Sequence, residues 1–208
     1  MLSEFWICYK IREGYRIKRK KMENVKIGEY TYHGNGFRVL WNVRQGLRGK
    51  HLDPKLTIGK FCSIADNVSI YLGGNHPTKY MTTFSLHAKL HNDWNASWGI
   101  HLSSGDVDIG NDVWLGDNVT VMSGVKIGDG AVVGAYSVVR SEILPYSINY
   151  GNPCQFIKKR FPEDTEMKLN EMQWWNWPID KIKEATKLLE SENIDELYKF
   201  YLMNIKIF

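Results

Sequence analysis

Ile109-Gly-Asn-Asp-Val113-Trp114 is followed by Leu115-Gly-Asp-Asn-Val119-Thr, Val121-Met-Ser-Gly-Val125-Lys, Ile127-Gly-Asp-Gly-Ala131-Val, Val133-Gly-Ala-Tyr-Ser137-Val and Val139-Arg-Ser-Glu-Ile143-Leu144. The chain therefore repeats every six residues over this stretch. So short a period marks a solenoid, in which each unit buries its apolar side only by stacking on the next. The fifth residue of each unit and the aliphatic that opens the following one are two positions apart. In an extended chain that spacing puts both side chains on one face. Between these short strands stand Gly, Asn, Asp and Ser, residues that tolerate the φ values of a sharp corner. No stretch is long enough for a helix, so the chain is predicted to coil into a prism of parallel sheets.

The same period occurs upstream in another register. Leu52, Ile58, Ile64 and Ile70 form one ladder, with Leu56, Cys62 and Val68 in the fifth places, and Ile27-Gly-Glu-Tyr-Thr31-Tyr32 is an earlier unit. Ile70 and Ile109 are not a whole number of sixes apart, so residues 71–108 interrupt the coil. This interruption holds Pro77 and four of the six histidines. Long loops projecting from rigid repeats are where function concentrates.

Composition narrows the classes. At 208 residues the chain is long enough for one continuous core with an appendage. No segment is long and apolar enough to span a membrane, and Phe5-Trp6-Ile7-Cys8 is too short for a signal peptide. A cytoplasmic location is expected, and three widely spaced cysteines, Cys8, Cys62 and Cys154, are expected to be reduced thiols. A net charge of +4 favours an anionic ligand over nucleic acid, since no aromatic and basic stripe accompanies it. The run Lys18-Arg19-Lys20-Lys21 in the N-terminal basic segment, 1–26, reads as a solvated face. Lys158-Lys159-Arg160 follows Gly151-Asn152-Pro153 directly after the last coil, where a phosphate-bearing ligand along the prism would end.

Helical signals begin at residue 161, after a coil domain spanning 27–160. Pro162 with Glu163 and Asp164, and Pro178 with Asp180, read as helix starts. Asn193 with Glu196 resembles a capping box before Leu197, Phe200 and Tyr201. Trp174, Trp175 and Trp177 read as packing anchors.

His76, within Leu72-Gly-Gly-Asn75-His76-Pro77, is the strongest candidate for chemistry. It opens the excursion, so a rigid coil edge would hold it. An imidazole titrates close enough to neutrality to take a proton from a hydroxyl or amine and return it to a leaving group. Acyl transfer has that requirement.

Gly-Asn75-His76, Ile109-Gly-Asn-Asp-Val-Trp114, Val132-Val-Gly-Ala-Tyr-Ser-Val-Val139, Gly151-Asn-Pro153 and Ile157-Lys-Lys-Arg-Phe161 occur here in order. Together they resemble the hexapeptide acyltransferases. Ile27-Gly-Glu-Tyr-Thr-Tyr32, Phe61-Cys-Ser-Ile64 and Trp174-Trp-Asn-Trp177 are similar to the xenobiotic acetyltransferase branch, which includes type-B chloramphenicol and streptogramin acetyltransferases. The resemblance runs from about residue 25 to 180. It implies a left-handed parallel β-helix with an excursion loop and C-terminal α-helices, a handedness opposite to the general rule for parallel crossovers. It also implies a homotrimer that binds acetyl-CoA between neighbouring prisms and transfers the acetyl group to a small-molecule acceptor, with no metal. Carried over by position, His76 is the general base, and Tyr30, Tyr32, Asn75 and Trp114 lie on the acceptor side. Gly116, Gly134 and Ala135 let the pantetheine arm approach the backbone, and Arg140, Asn152, Pro153, Lys158, Lys159 and Arg160 surround the adenosine end.

Two departures bear on the acceptor. Pro77 follows the histidine where antibiotic-modifying relatives usually carry a basic residue, and Asn176 stands where an acidic residue is expected between the tryptophans. An antibiotic hydroxyl and a sugar hydroxyl or amine both remain open. A zinc hydratase of the γ-carbonic anhydrase kind is the rival enzyme, since His76, His87, His91 and His101 cluster in sequence. That chemistry needs three ligands converging from flat coils, whereas these lie in a loop. A non-catalytic scaffold is the other rival. An ice-binding coil needs a flat threonine array, and Thr120 stands alone among the outward coil positions.

Overall fold

The computed structural model describes residues 24–40, 54–92 and 102–206, together with the backbone of two earlier strands. Leu52 of the upstream ladder, His101 and the basic residues 19–21 lie outside the described residues, as does the side chain of Cys8. The chain divides into two compact units, Met1–Lys158 and Lys159–Phe208. The division falls two residues before the end expected for the coil. No helix among the described residues is long and apolar enough to cross a membrane.

In the first unit β1 (Ile7–Ile11) and β2 (Gly14–Lys18) form an antiparallel hairpin. One coil follows as β3 (Val25–Ile27), β4 (Tyr32–His33) and β5 (Arg38–Leu40), and a second as β6 (Leu56–Ile58), β7 (Ser63–Ile64) and β8 (Ser69–Tyr71). The excursion carries the five-residue helix α1 (Leu86–Leu90). A third coil is β9 (Val107–Ile109), β10 (Trp114–Leu115) and β11 (Thr120–Val121), and a fourth is β12 (Lys126–Ile127), β13 (Val132–Val133) and β14 (Val138–Val139). Strands β15 (Ser147–Tyr150) and β16 (Gln155–Lys159) complete the unit.

Each coil contributes one strand to each of three parallel sheets, giving the three-sided left-handed β-helix. Sheet A runs β14-β11-β8-β5 and continues into the hairpin, sheet B runs β12-β9-β6-β3, and sheet C runs β16-β15-β13-β10-β7-β4. The hairpin is a feature the charge-based reading of residues 1–26 missed. Ile7 pairs with Val39, so β1 covers the edge that β5 would otherwise leave unpaired. The register passes straight across the excursion, with Leu56 opposite Val107, Ser63 opposite Trp114 and Ser69 opposite Thr120. The coil therefore resumes at Val107, within the span 71–108 expected to be loop.

The inward positions predicted from the period form the core, with Leu56, Cys62, Val68, Leu115, Val121 and Val133 wholly buried. Two inward polar groups are satisfied by the backbone. The Cys62 thiol donates to the Gly110 carbonyl at 3.1 Å. Ser137 donates to the Gly134 carbonyl at 2.6 Å and accepts from the Gly151 amide at 3.0 Å.

The glycine that opens each corner has a different reason from the one the sequence suggested. Left-handed φ values fall two residues later, on Tyr30 (61°), Phe61 (57°), Asp112 (55°) and Gly130 (65°). The glycines after the inward isoleucines are instead required by the next coil. A Cβ on Gly28 would lie 2.5 Å from the Gly59 carbonyl carbon, and one on Gly59 would lie 2.5 Å from the Gly110 carbonyl oxygen.

The same corner is held by side chains that cap backbone amides one coil below. Asn111 Oδ1 accepts from the Lys60 amide at 2.9 Å, and Asp129 Oδ1 accepts from the Asn111 amide at 2.6 Å and from its Nδ2 at 2.9 Å. Asp129→Ala leaves two donors without that acceptor. It is expected to lower stability by about 2 kcal/mol in urea unfolding, with Asp129→Asn recovering most of the loss.

The second unit consists of α2 (Glu163–Met172), a 3-10 turn at Trp174–Asn176, α3 (Ile179–Leu189) and α4 (Ile194–Asn204). Pro162 and Pro178 stand immediately before α2 and α3, and Asn193 Oδ1 accepts from the Glu196 amide at 3.2 Å, as the start signals predict. Trp175 and Trp177 are buried anchors. Trp177 donates to the Met172 carbonyl at 2.8 Å and stacks on Tyr201 with centroids 5.9 Å apart, which ties α2 to α4.

Candidate functional site

The excursion leaves the prism from sheet A after Tyr71 and returns into sheet B at Val107, so its neck stands on the edge where those sheets meet. The neck is a two-stranded bridge in which Asn75 pairs antiparallel with Leu102. The Gly74 and Asn75 amides donate to the Leu102 carbonyl at 3.1 and 3.0 Å, and the Leu102 amide donates to the Asn75 carbonyl at 2.8 Å. His76 follows and is exposed. Its Nδ1 lies 2.8 Å from the Thr83 carbonyl oxygen. A carbonyl only accepts, so Nδ1 carries the hydrogen and the basic lone pair of the neutral ring resides on Nε2. Thr83 offers a backbone group with no side-chain signature, which is why sequence reasoning missed it.

The other predicted residues are distributed around the prism. On the outer face of sheet C, pairing places Tyr32, Ser63, Trp114, Val132 and Ile148 in one column. Trp114 is 53% exposed between the buried Val113 and Leu115, as alternation predicts. Tyr30 sits at the corner leading into that face and stacks on Phe61 at 4.9 Å with an interplanar angle of 13°. Phe61 was also missed, although it is legible: Tyr30 and Phe61 each stand two residues after an Ile-Gly pair. Both hold left-handed φ values, a cost of about 1–3 kcal/mol for a side chain of this kind.

Gly116, Gly134, Ala135, Asn152 and Pro153 lie at the edge between sheets C and A. The Asn152–Pro153 peptide is cis. The need for glycine at 116 comes from the coil above, since a Cβ there would lie 2.7 Å from the Ala135 nitrogen. Gly134 similarly faces the Cβ of Tyr150, 3.0 Å from where its own would stand. Arg140 lies on the edge between sheets A and B, which also bears the His76 neck. Lys158 is exposed on β16. In the second unit Lys159 pairs with Glu166 at 2.8 Å, and the Arg160 guanidinium lies 4.7 Å from the Phe161 ring centroid.

Asn75, expected on the acceptor side, turns its amide toward the coil. Its Nδ2 donates to Ser104 Oγ at 3.3 Å and Ser123 Oγ at 3.4 Å. Within one chain, then, the His76 neck occupies one edge of the prism, while Tyr32 and Trp114 occupy the face opposite that edge. Among the described residues no group of three or more His, Cys, Asp or Glu side chains is placed to hold a metal ion. His87 and His91 share one side of α1 as their spacing predicts, with ring centroids 4.7 Å apart.

Cys62 is a packed thiol. Burial pushes its pKa up from 9.0 to about 11. Since the thiolate is the reactive form, Cys62 is expected to resist iodoacetamide at pH 8 in the native protein and to react on unfolding, with peptide mass spectrometry identifying the site. The sign of the linkage follows. The unfolded chain loses this proton first as pH rises, so the contribution of the thiol to stability is present below its ordinary value and is lost as pH rises toward about 11.

Residues 106–141 match the family model for the bacterial transferase hexapeptide of six repeats. The chain is 39% identical over 188 residues to a chloramphenicol acetyltransferase of Morganella morganii, covering 87% of this chain and 89% of that one. It is 42% identical over 159 residues to a probable macrolide acetyltransferase of Lysinibacillus sphaericus, covering 72% and 86%. Among solved structures, a hexapeptide-repeat acetyltransferase of Vibrio cholerae O1 biovar eltor complexed with acetyl coenzyme A aligns with a TM-score of 0.45 and 20% identity, over 66% of this chain and 72% of that one. With such identity sustained over most of its length, on a coil of parallel hexapeptide sheets, the chain belongs to the xenobiotic acetyltransferase branch of the hexapeptide acyltransferases and is an acetyl-transferring enzyme.

Proposed function

We propose that this protein transfers an acetyl group from acetyl-CoA directly to a hydroxyl of a small, antibiotic-like acceptor, with His76 as general base. The observation that carries this reading is the contact between His76 Nδ1 and the Thr83 carbonyl, which leaves the basic nitrogen on the far side of the ring. Nε2 removes the hydroxyl proton as the acceptor oxygen bonds to the thioester carbonyl carbon. The C–S bond then breaks, and the imidazolium returns its proton to the departing thiolate. The products are an acetyl ester and free CoA. An amine acceptor would follow the same course to an amide.

The cleft is proposed to form between copies of a homotrimer. A side of six residues spans roughly 20 Å, so one prism separates the His76 edge from the Tyr32 and Trp114 face by most of its own width. A neighbouring copy brings a second edge against that face. Small residues at Gly134 and Ala135 leave the edge between sheets C and A low enough for an extended pantetheine arm, with Lys158 exposed to phosphate and Arg140 offered from the edge between sheets A and B of a neighbouring copy. Asn152 and Pro153 are proposed for the adenosine end. The chemistry requires the donor pool of the cytoplasm, the proposed location. The names of the relatives favour drug-like acceptors over sugars.

Measuring CoA release against panels of both acceptor classes tests this. Release with chloramphenicol- or macrolide-like hydroxyls is expected, and release with sugars alone would replace the acceptor. A burst of CoA before any acceptor is added would overturn direct transfer. Acetyl-CoA at a hundred times its dissociation constant is expected to raise stability by about 2.7 kcal/mol in a thermal shift measurement. Light scattering during gel filtration is expected to return three times the chain mass.

A further inference from the structure

We infer that Asn75 is a positioning residue that bolts the His76 neck to the coil through the hydroxyls of Ser104 and Ser123. The inference rests on His76 acting as the base. Ser123 is buried at the corner that follows β11, on the rigid third coil. Its hydroxyl accepts from the Ser104 amide at 3.1 Å and from Asn75 Nδ2 at 3.4 Å, and Asn75 Nδ2 also reaches Ser104 Oγ at 3.3 Å. One buried hydroxyl thus receives both strands of the neck.

Close approach at the same corner supports this. Gly124 has φ +80°, and a Cβ there would lie 2.9 Å from the Ser104 carbonyl oxygen, so the return strand rests directly on the coil. In an extended neck successive side chains point to opposite sides. An Asn75 amide turned inward to Ser104 and Ser123 therefore turns His76 outward. Thr83 then sets the rotation of the ring, while Asn75 sets the place of its backbone. A base displaced by about 1 Å loses up to a hundredfold in rate, so this anchor acts on turnover rather than on binding.

The test compares Asn75→Leu, which keeps the volume and removes the amide, with Asn75→Asp, whose carboxylate accepts from both hydroxyls. Asn75→Leu is expected to lower kcat about 10- to 100-fold with KM for both substrates within about twofold, and Asn75→Asp to recover to within about fivefold of the parent. An unchanged kcat in Asn75→Leu, or a change confined to the acceptor KM, would overturn the inference, the latter returning the amide to the acceptor. Should Asn75→Leu fail to fold, the double substitution Ser104→Ala and Ser123→Ala removes both hydroxyls instead, and full turnover there would equally overturn it. A His76→Ala enzyme that kept its rate would defeat the general-base reading, whereas an inactive His76→Ala beside a fully active Asn75→Leu would defeat the anchor alone.

Discussion

His76→Ala is expected to lower kcat by about a hundredfold or more while leaving acetyl-CoA affinity close to that of the parent. The ring is exposed and its Nδ1 bonds to a backbone carbonyl of its own loop, so its loss opens no core cavity. The donor site proposed along the edge between sheets C and A is built from other residues. Turnover and donor binding therefore separate, which a loss of fold would not allow. The measurement is steady-state CoA release together with a donor titration by calorimetry. A variant retaining most of its turnover would show that another group accepts the proton. His76→Gln sharpens the comparison, because its amide can occupy the imidazole's space and bond to the Thr83 carbonyl but cannot take a proton at neutral pH. It is expected to be as inactive as the alanine variant.

Gly59→Ala is expected to lower stability by about 3 kcal/mol, at the upper end for overpacking, and the melting temperature by roughly 6–12 °C. The added methyl would lie 2.5 Å from the Gly110 carbonyl oxygen and 2.6 Å from both its carbonyl carbon and Asn111 Oδ1. Two of those three atoms are backbone of the next coil, whose position is set by pairing on all three sheets, so neither can swing aside. The outward, exposed Thr57→Ala on the neighbouring strand provides the contrast, with a change within about 0.5 kcal/mol. Equal stability of the Gly59→Ala and parent proteins in calorimetry would show that the corner can widen and that coil spacing is softer than the pairing implies.

Much of the fold is legible because a solenoid is built from neighbours. The spacing from Val113 to Leu115, or from Val119 to Val121, is local, and it assigned the inward positions without knowledge of the partner strand. The starts at Pro162, Pro178 and Asn193 are likewise local. The hairpin from Ile7 to Lys18 was hidden, because its place depends on a single pairing between Ile7 and Val39, far apart in sequence. The glycines directly after the inward isoleucines were read through φ when their constraint is clearance from the coil above, a contact absent from any six-residue window. In the candidate site, the exposure of His76 and the outward turn of Trp114 could be read from position and alternation, and Phe61 was within reach of the same pattern. Thr83 was not, since it contributes a carbonyl that every residue possesses.

From its amino acids alone this chain determined that it would coil in sixes, which side chains would face inward, where helices would begin and which imidazole would stand at the mouth of the loop. Those properties follow from alternation and capping over a few residues, where backbone geometry acts directly. Tertiary structure decided which edge or face each candidate occupies, that the Asn75 amide turns toward Ser104 and Ser123, and which nitrogen of His76 carries its proton. These depend on Leu56 meeting Val107 across the excursion. Such a register is set by the packing of whole coils, to which no local spacing gives access.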